Sequence, residues 1–163
     1  MNEIRFLKLN ELEAHKQFIK DHVNDKHIFA LDNEIFNWQH KTDKYYNCII
    51  SKKGKEIIGS IGIIPQKQFD NNLPNNQICI GLLRVIEGQQ IGTLLLMFDK
   101  INEYFKPEII CTTGFDDKMI KFHKWKGFKV GIMEHSFILS NKYKSYRIAT
   151  VPTGYKTKPG LID

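Results

Sequence analysis

Long apolar runs are missing from this chain. No stretch approaches the roughly 20 residues that a membrane-spanning helix needs, although 42% of the 163 residues are hydrophobic, an ordinary share for a soluble globular protein. Cysteine is scarce. Cys48, Cys79 and Cys111 stand far apart, each inside an apolar, strand-like run. That spacing argues against a disulfide set or a metal cluster, and predicts buried free thiols in a reducing compartment. Neither H-x-x-x-H nor C-x-x-C occurs. His15 and His22 are two helical turns apart, too far to share a ligand without a third group, so no metal is expected. No Ser-His-Asp or Cys-His signature is present. Internal repeats and low-complexity segments are absent. A basic-then-apolar leader is missing too, since Asn2 and Glu3 follow Met1. The expectation is a cytoplasmic protein with no membrane insertion.

What is present is positive charge, unevenly placed. The net charge is +6, and beyond Ser140 five cations (Lys142, Lys144, Arg147, Lys156 and Lys158) face only Asp163. A basic tail can serve nucleic acid or an anionic surface. No groove of interleaved aromatic and arginine residues accompanies it, so nucleic acid ranks last among partners. Pro152, Gly154, Pro159 and Gly160 read as irregular chain. The expected organisation is one domain over residues 1–140 and a basic, irregular tail or linker over 141–163, the linker leading to a further C-terminal domain.

The stretch 78–104 organises the rest. Ile78, Ile80, Leu82, Leu83 and Val85 make a buried strand. Glu87, Gly88, Gln89 and Gln90 break it. From Ile91 the apolar residues fall at Leu94, Leu95, Phe98, Ile101 and Phe105, which is helical spacing. A strand feeding a helix through a glycine turn points unpaired N–H groups outward, ready for a phosphate or pyrophosphate. Gly88 and Gly92 equally fit an ordinary strand-to-helix connection.

Around this unit the pattern predicts a strand over 4–9, then a helix capped by Asn10 with Glu13 completing a capping box and Leu12, Phe18, Ile19 and Val23 buried. A short helix follows, capped by Asp32, with Ile35 and Phe36 buried. Residues 45–51 and 56–64 form a hairpin turning at Lys52, Lys53, Gly54 and Lys55, ended by Pro65. Residues 66–77 are a polar loop. Pro107 stops the long helix, 109–113 is a strand, Asp116 or Asp117 caps a helix ending at Gly127, and 128–130 and 135–139 are two last strands. Strands outnumber helices and include a hairpin. The fold class is therefore α/β (α+β), a mixed, mostly antiparallel sheet with helices on both faces.

This order, with two particular stretches, resembles the GCN5-related N-acetyltransferases over about residues 4–140. One stretch is Glu87-Gly88-Gln89-Gln90-Ile91-Gly92-Thr93-Leu94-Leu95, similar to the family's acetyl-CoA pyrophosphate turn. The other is Phe122-His123-Lys124-Trp125-Lys126-Gly127-Phe128, similar to its late helix ending in Gly-Phe. Two residues depart from the pattern: Glu87 stands where Arg or Gln is usual, and Gln90 where a second glycine is usual. The segment 134–141 also resembles the last strand of a branch found among bacterial surface-polysaccharide functions.

The resemblance implies acetyl-CoA as co-substrate, a small-molecule amine as acceptor, and direct attack of the amine on the thioester with no protein nucleophile. It implies that Leu83, Arg84 and Val85 pair with the pantetheine arm as an added strand does. Gly88, Gln89, Gln90, Ile91, Gly92 and Thr93 would hold the pyrophosphate through backbone N–H groups. The family's late-helix tyrosine, which protonates the leaving thiolate, corresponds to His123. An imidazolium is acid enough for that task, and an imidazole could instead accept the amine's proton. Asp116 corresponds to a family Asn on the cofactor arm; it could orient His123 or simply cap the helix. His27, Glu34 and His40 fall in the region that would cover the acceptor and are expected at the surface. The acceptor implied is an amino sugar, free or nucleotide-linked. The alternative is a binding or regulatory module of the same fold with a degraded cofactor turn. Splayed last strands would permit a homodimer.

Overall fold

The structure is a computed structural model that describes residues 2–74, 76–114 and 117–131. It comprises two compact units, Met1–Gly114 and Phe115–Asp163.

The first unit is a five-stranded sheet in the order β1-β2-β3-β4-β5. Strand β1 is Glu3–Lys8, β2 Tyr45–Lys53, β3 Glu56–Pro65, β4 Gln77–Val85 and β5 Ile109–Thr112. All neighbours are antiparallel except β4 and β5. The β2–β3 hairpin turns at Gly54, whose φ of +63° is one that residues with a Cβ rarely adopt. Helices α1 (Leu12–His22), α2 (Ile28–Leu31) and α3 (Asn33–His40) connect β1 to β2, and α4 (Gln90–Phe105) connects β4 to β5. Phe18 and Ile19 of α1, Phe29 of α2 and Phe36 of α3 pack with Cys48, Ile50 and Leu82 of the sheet. α4 lies under Gly59, where an added Cβ would come within 3.3 Å of Met97 Sδ. Burial on both faces explains why β2 and β3 read as nearly unbroken apolar runs.

Several expectations need correction. Asn10 does not cap α1: a 3-10 turn, Leu9–Glu11, precedes it, and no side chain caps the helix. Glu11, not Glu13, reaches back, accepting from Lys8 N–H at 3.3 Å. Its carboxylate also takes two bonds from the Arg5 guanidinium, at 2.7 and 2.8 Å, and one from Lys52 at 2.9 Å. The Arg5 guanidinium, with Lys52, holds that carboxyl down at about 2. Helix α2 was not expected; the His27 ring caps it by accepting from Phe29 N–H at 3.2 Å. Asp32 does cap α3, accepting from Glu34 and Ile35 N–H. Val23 and Ile35 are exposed: Val23 is the C-cap beyond the last turn of α1, and Ile35 lies to one side of the core-facing Phe36 on α3. Of the thiols only Cys48 is buried; Cys79 is half-buried and Cys111 exposed, since β5 is an edge strand among the described residues.

The second unit contains α5, Asp117–Trp125. It stops as expected at Gly127, with φ +89°, and Phe128 N–H returns to His123 O at 2.9 Å. That return bond replaces the strand expected over 128–130, which is irregular. The strand expected over 135–139, the 134–141 resemblance and the basic tail lie outside the described residues.

No helix among the described residues is long and apolar enough to cross a membrane.

Candidate active site

Strand β4 changes character half-way along. Its residues Gln77, Ile78, Cys79 and Ile80 pair with β5 on one side, ending at Ile80 and Thr112. Beyond that point β5 stops and β4 continues to Val85, paired only with β3 among the described residues. There Leu83 and Val85 turn their backbone N–H and C=O groups to the edge that β5 leaves open among the described residues, while Arg84, like Ile86, is turned toward β3. The change coincides with a bulge. Gly62 pairs with Leu82 and Ile63 with Ile80, so Gly81 is the extra residue. A Cβ there would meet Ile64 Cδ1 at 2.9 Å and Gln39 Nε2 at 3.3 Å. The sequence reading did not single out Gly81, though a glycine inside an apolar strand run is the signal for such a bulge.

The open edge runs straight into the glycine turn. Ile86 N–H still bonds Ile58 O at 3.0 Å, and Gln89 N–H closes on Ile86 O at 3.4 Å. Gly88 takes φ +81°, the left-handed region where glycine is favoured. Helix α4 then begins at Gln90 with no side chain capping it. The first N–H groups of a helix have no partner within it, so those of Gln90, Ile91 and Gly92 carry the positive end of a 16-residue helix. Space above them is open: a Cβ added at Gly88 or Gly92 would meet nothing within 4 Å. Ile91 is 67% exposed. Thr93 is buried, and its hydroxyl accepts from Asn2 Nδ2 at 3.4 Å. Glu87, the charge that departs from the family pattern, is exposed to solvent. The outward backbone groups of Leu83 and Val85 thus lead to the α4 start, where the N–H groups of Gln90, Ile91 and Gly92 have no partner within the helix; Arg84's backbone is turned to β3 and Gln89 N–H is already bonded to Ile86 O. Val85's side chain is sealed against Gly59, leaving only its backbone to contribute.

His123 belongs to the second unit. It is buried on α5, with Nδ1–H donating to Met119 O at 2.8 Å and its ring edge-on to Phe128. Asp116 lies outside the described residues.

The expected surface histidine His40 is buried instead. Its Nδ1–H donates to Ile63 O at 3.1 Å, and burial pushes it down to about 4. His15 is also buried, hydrogen-bonded through Nε2 to Ser60 Oγ at 2.7 Å, with Cys48 Sγ 3.2 Å from the same hydroxyl. Burial pushes His15 down to about 3 and the Cys48 thiol up to about 12. A thiol held protonated so firmly is no nucleophile. This Cys-His-Ser group is a neutral core network. No group of three or more ligand side chains that could hold a metal occurs among the described residues.

Several solved structures share this fold. Aminoglycoside N-acetyltransferase AAC(6')-Iy, solved with the bisubstrate analogue CoA-S-monomethyl-acetylneamine, matches 86% of this chain and 99% of its own at 13% identity, with a TM-score of 0.62. The fold is that of the GCN5-related N-acetyltransferases. Another structure with this N-acetyltransferase fold is an aminoglycoside acetyltransferase from an uncultured soil metagenomic sample, solved with sisomicin. It matches at 16% identity and a TM-score of 0.61, over 85% of this chain and 97% of its own. The ribosomal-protein-S18-alanine N-acetyltransferase of Escherichia coli matches at 11% and 0.60, over 87% and 86%. No protein-family profile and no curated sequence matches the chain.

Proposed function

We propose that the protein is an acetyl-CoA-dependent N-acetyltransferase acting on a primary amine of a small molecule. The observation that carries this reading is the one-sided half of β4 running directly into the uncapped start of α4. Pantetheine amides have the spacing to pair with a strand edge, and a pyrophosphate suits a helix N-terminus approached across glycine. One ligand class combines both requirements in that order, and the structural neighbours solved with CoA or its analogue support it. The exposed carboxylate of Glu87 is screened by solvent, so it weakens pyrophosphate binding less than a buried charge would. Cytoplasmic acetyl-CoA is the intended source of the acyl group.

In the reaction the amine nitrogen attacks the thioester carbonyl, the nitrogen loses a proton, and the CoA thiolate leaves and gains one. His123 is the proposed acid for the thiolate, with Asp116 as its orienting partner. The acceptor is proposed to be an amino sugar, and the 134–141 resemblance points to a nucleotide-linked one. Acetylation of the amine would remove its positive charge.

The test is acetyl-CoA-dependent thiol release over a panel of amines: amino sugars, nucleotide-linked amino sugars, aminoglycosides and a peptide N-terminus. Turnover that needs both acetyl-CoA and an amine supports the reading. Release with no amine in the panel above the hydrolysis background contradicts it.

A further inference from the structure

Cys79 on β4 and Cys111 on β5 are direct register partners across the parallel pair. Neighbouring strands lie about 4.8 Å apart, within the Cα separation of roughly 4.4–6.8 Å that a disulfide spans. Partners in register project to the same face of the sheet. Burial, and then the Cys111 sulfur beside it, push the Cys79 thiol above its ordinary value. Both thiols are free; Cys111 is exposed and Cys79 half-buried behind it. The third thiol, Cys48, is sealed in the core and held protonated. The sequence separation of the three cysteines argued against any pairing, but the strand register brings two of them side by side.

We infer that Cys79 and Cys111 are a reversible dithiol–disulfide pair, a modification site for low-molecular-weight disulfides of the glutathione class. The chemistry takes two exchanges. The exposed Cys111 thiolate attacks one sulfur of oxidised glutathione; the glutathione S–S bond breaks, and one glutathione leaves as a thiolate and takes up a proton. Cys111 now carries a mixed disulfide. The Cys79 thiolate attacks the Cys111 sulfur, the protein S–S bond forms, and the second glutathione leaves. Two protein thiols have been oxidised, and one oxidised glutathione has been reduced to two thiols. Burial and the neighbouring sulfur disfavour the Cys79 thiolate, so Cys111 reacts first and Cys79 resolves. In a reducing compartment the dithiol is the resting form. The bond would tie β4 to β5 one residue before their pairing ends at Ile80 and Thr112, at the closed end of the fork between the strands. The inference stands apart from the acetyl-transfer reading, because it needs only the register and the exposure.

The test incubates the reduced, full-length wild-type protein with oxidised glutathione, alkylates remaining thiols under denaturing conditions, and maps the peptides without reduction. The expected product is an internal crosslink joining Cys79 to Cys111, two hydrogen atoms lighter by intact mass, with Cys48 alkylated and an excess of reduced glutathione reversing the change. Cys79→Ser should trap glutathione on Cys111, and Cys111→Ser should react far more slowly. A wild-type protein that accumulates the Cys111 adduct as Cys79→Ser does, or crosslinks through Cys48, or stays unmodified, would overturn the inference. The wild-type peptide map decides the matter by itself if either variant folds poorly.

Discussion

The polar groups of the sheet fall into two sets that behave in opposite ways. On the α1–α3 side, His15, Ser60, Cys48 and His40 are sealed in the core; each is hydrogen-bonded, and the histidines are held neutral. At Leu83 and Val85 on β4's free edge and at the first turn of α4, backbone groups have no protein partner on one side among the described residues, and the space over Gly88 and Gly92 is open. A buried polar group without a partner is destabilising, and each side chain of the first set makes at least one bond within the protein, although His15 Nδ1 and His40 Nε2 are buried without one. The second set is open on one side and remains available to a ligand. The lesson is that titratable side chains gathered in the core serve stability here, whereas the proposed site is drawn from plain backbone left open.

Changes at the open set should abolish ligand binding and spare the fold. Gly92→Asp puts a carboxylate into empty space over the first turn of α4, where nothing is displaced. Acetyl-CoA affinity should fall by roughly 100-fold or more, from charge repulsion at the pyrophosphate. The melting temperature of the free protein should stay nearly constant, and titration calorimetry beside thermal melting checks both. His123→Phe addresses the proposed acid. Turnover should drop by roughly 100-fold with acetyl-CoA affinity little changed, and unchanged turnover would remove His123 from the mechanism.

Changes at the sealed set should do the reverse. Ser60→Ala leaves the buried His15 ring without its 2.7 Å partner. The expected loss is about 1–3 kcal/mol of stability, read as a melting temperature lower by several degrees, with acetyl-CoA affinity unchanged. A Ser60→Ala protein that binds acetyl-CoA poorly while melting normally would merge the two sets and break the comparison.

The smallest effect is in pH. His15 and His40 sit near 3 and 4 in the folded protein, below the ordinary histidine value of 6.5. Below pH 6.5 the unfolded chain therefore takes up protons that the folded chain refuses. Stability should be level above that pH and decline as pH falls toward 4, where protonation of the folded form begins. Glu11 acts in a separate window: its stabilisation is full above about 4.5 and is lost as pH falls toward 2. Urea unfolding at pH 7 and pH 5 isolates the histidine contribution, and a double replacement of His15 and His40 should flatten that difference.

Much of this was legible in the residues. The hairpin at Gly54, the strand–turn–helix unit around Gly88, the Asp32 cap and the Gly127 stop each rest on local chemistry, and local chemistry is what a sequence displays. Other features depend on distant partners. His40 reads as a surface residue because its partner, Ile63 O, lies 23 residues away on β3. Helix α2 is four residues long and is capped by a histidine ring, a device with no common signature. Cys79 and Cys111 read as isolated thiols until register places them opposite each other. Of the proposed site, the glycine turn could be read from the residues, while the free edge of β4 could not, because it arises from where β5 stops.

The most direct measurement is a thermal-shift titration of the wild-type protein with acetyl-CoA and CoA, with a plain adenine nucleotide as control. The account predicts a saturable rise in melting temperature with both thioester and thiol forms, growing with the logarithm of ligand concentration as linkage requires, and a much smaller rise with the nucleotide alone. No rise at millimolar acetyl-CoA would contradict it, and would leave the open edge and helix start as a fold without its cofactor.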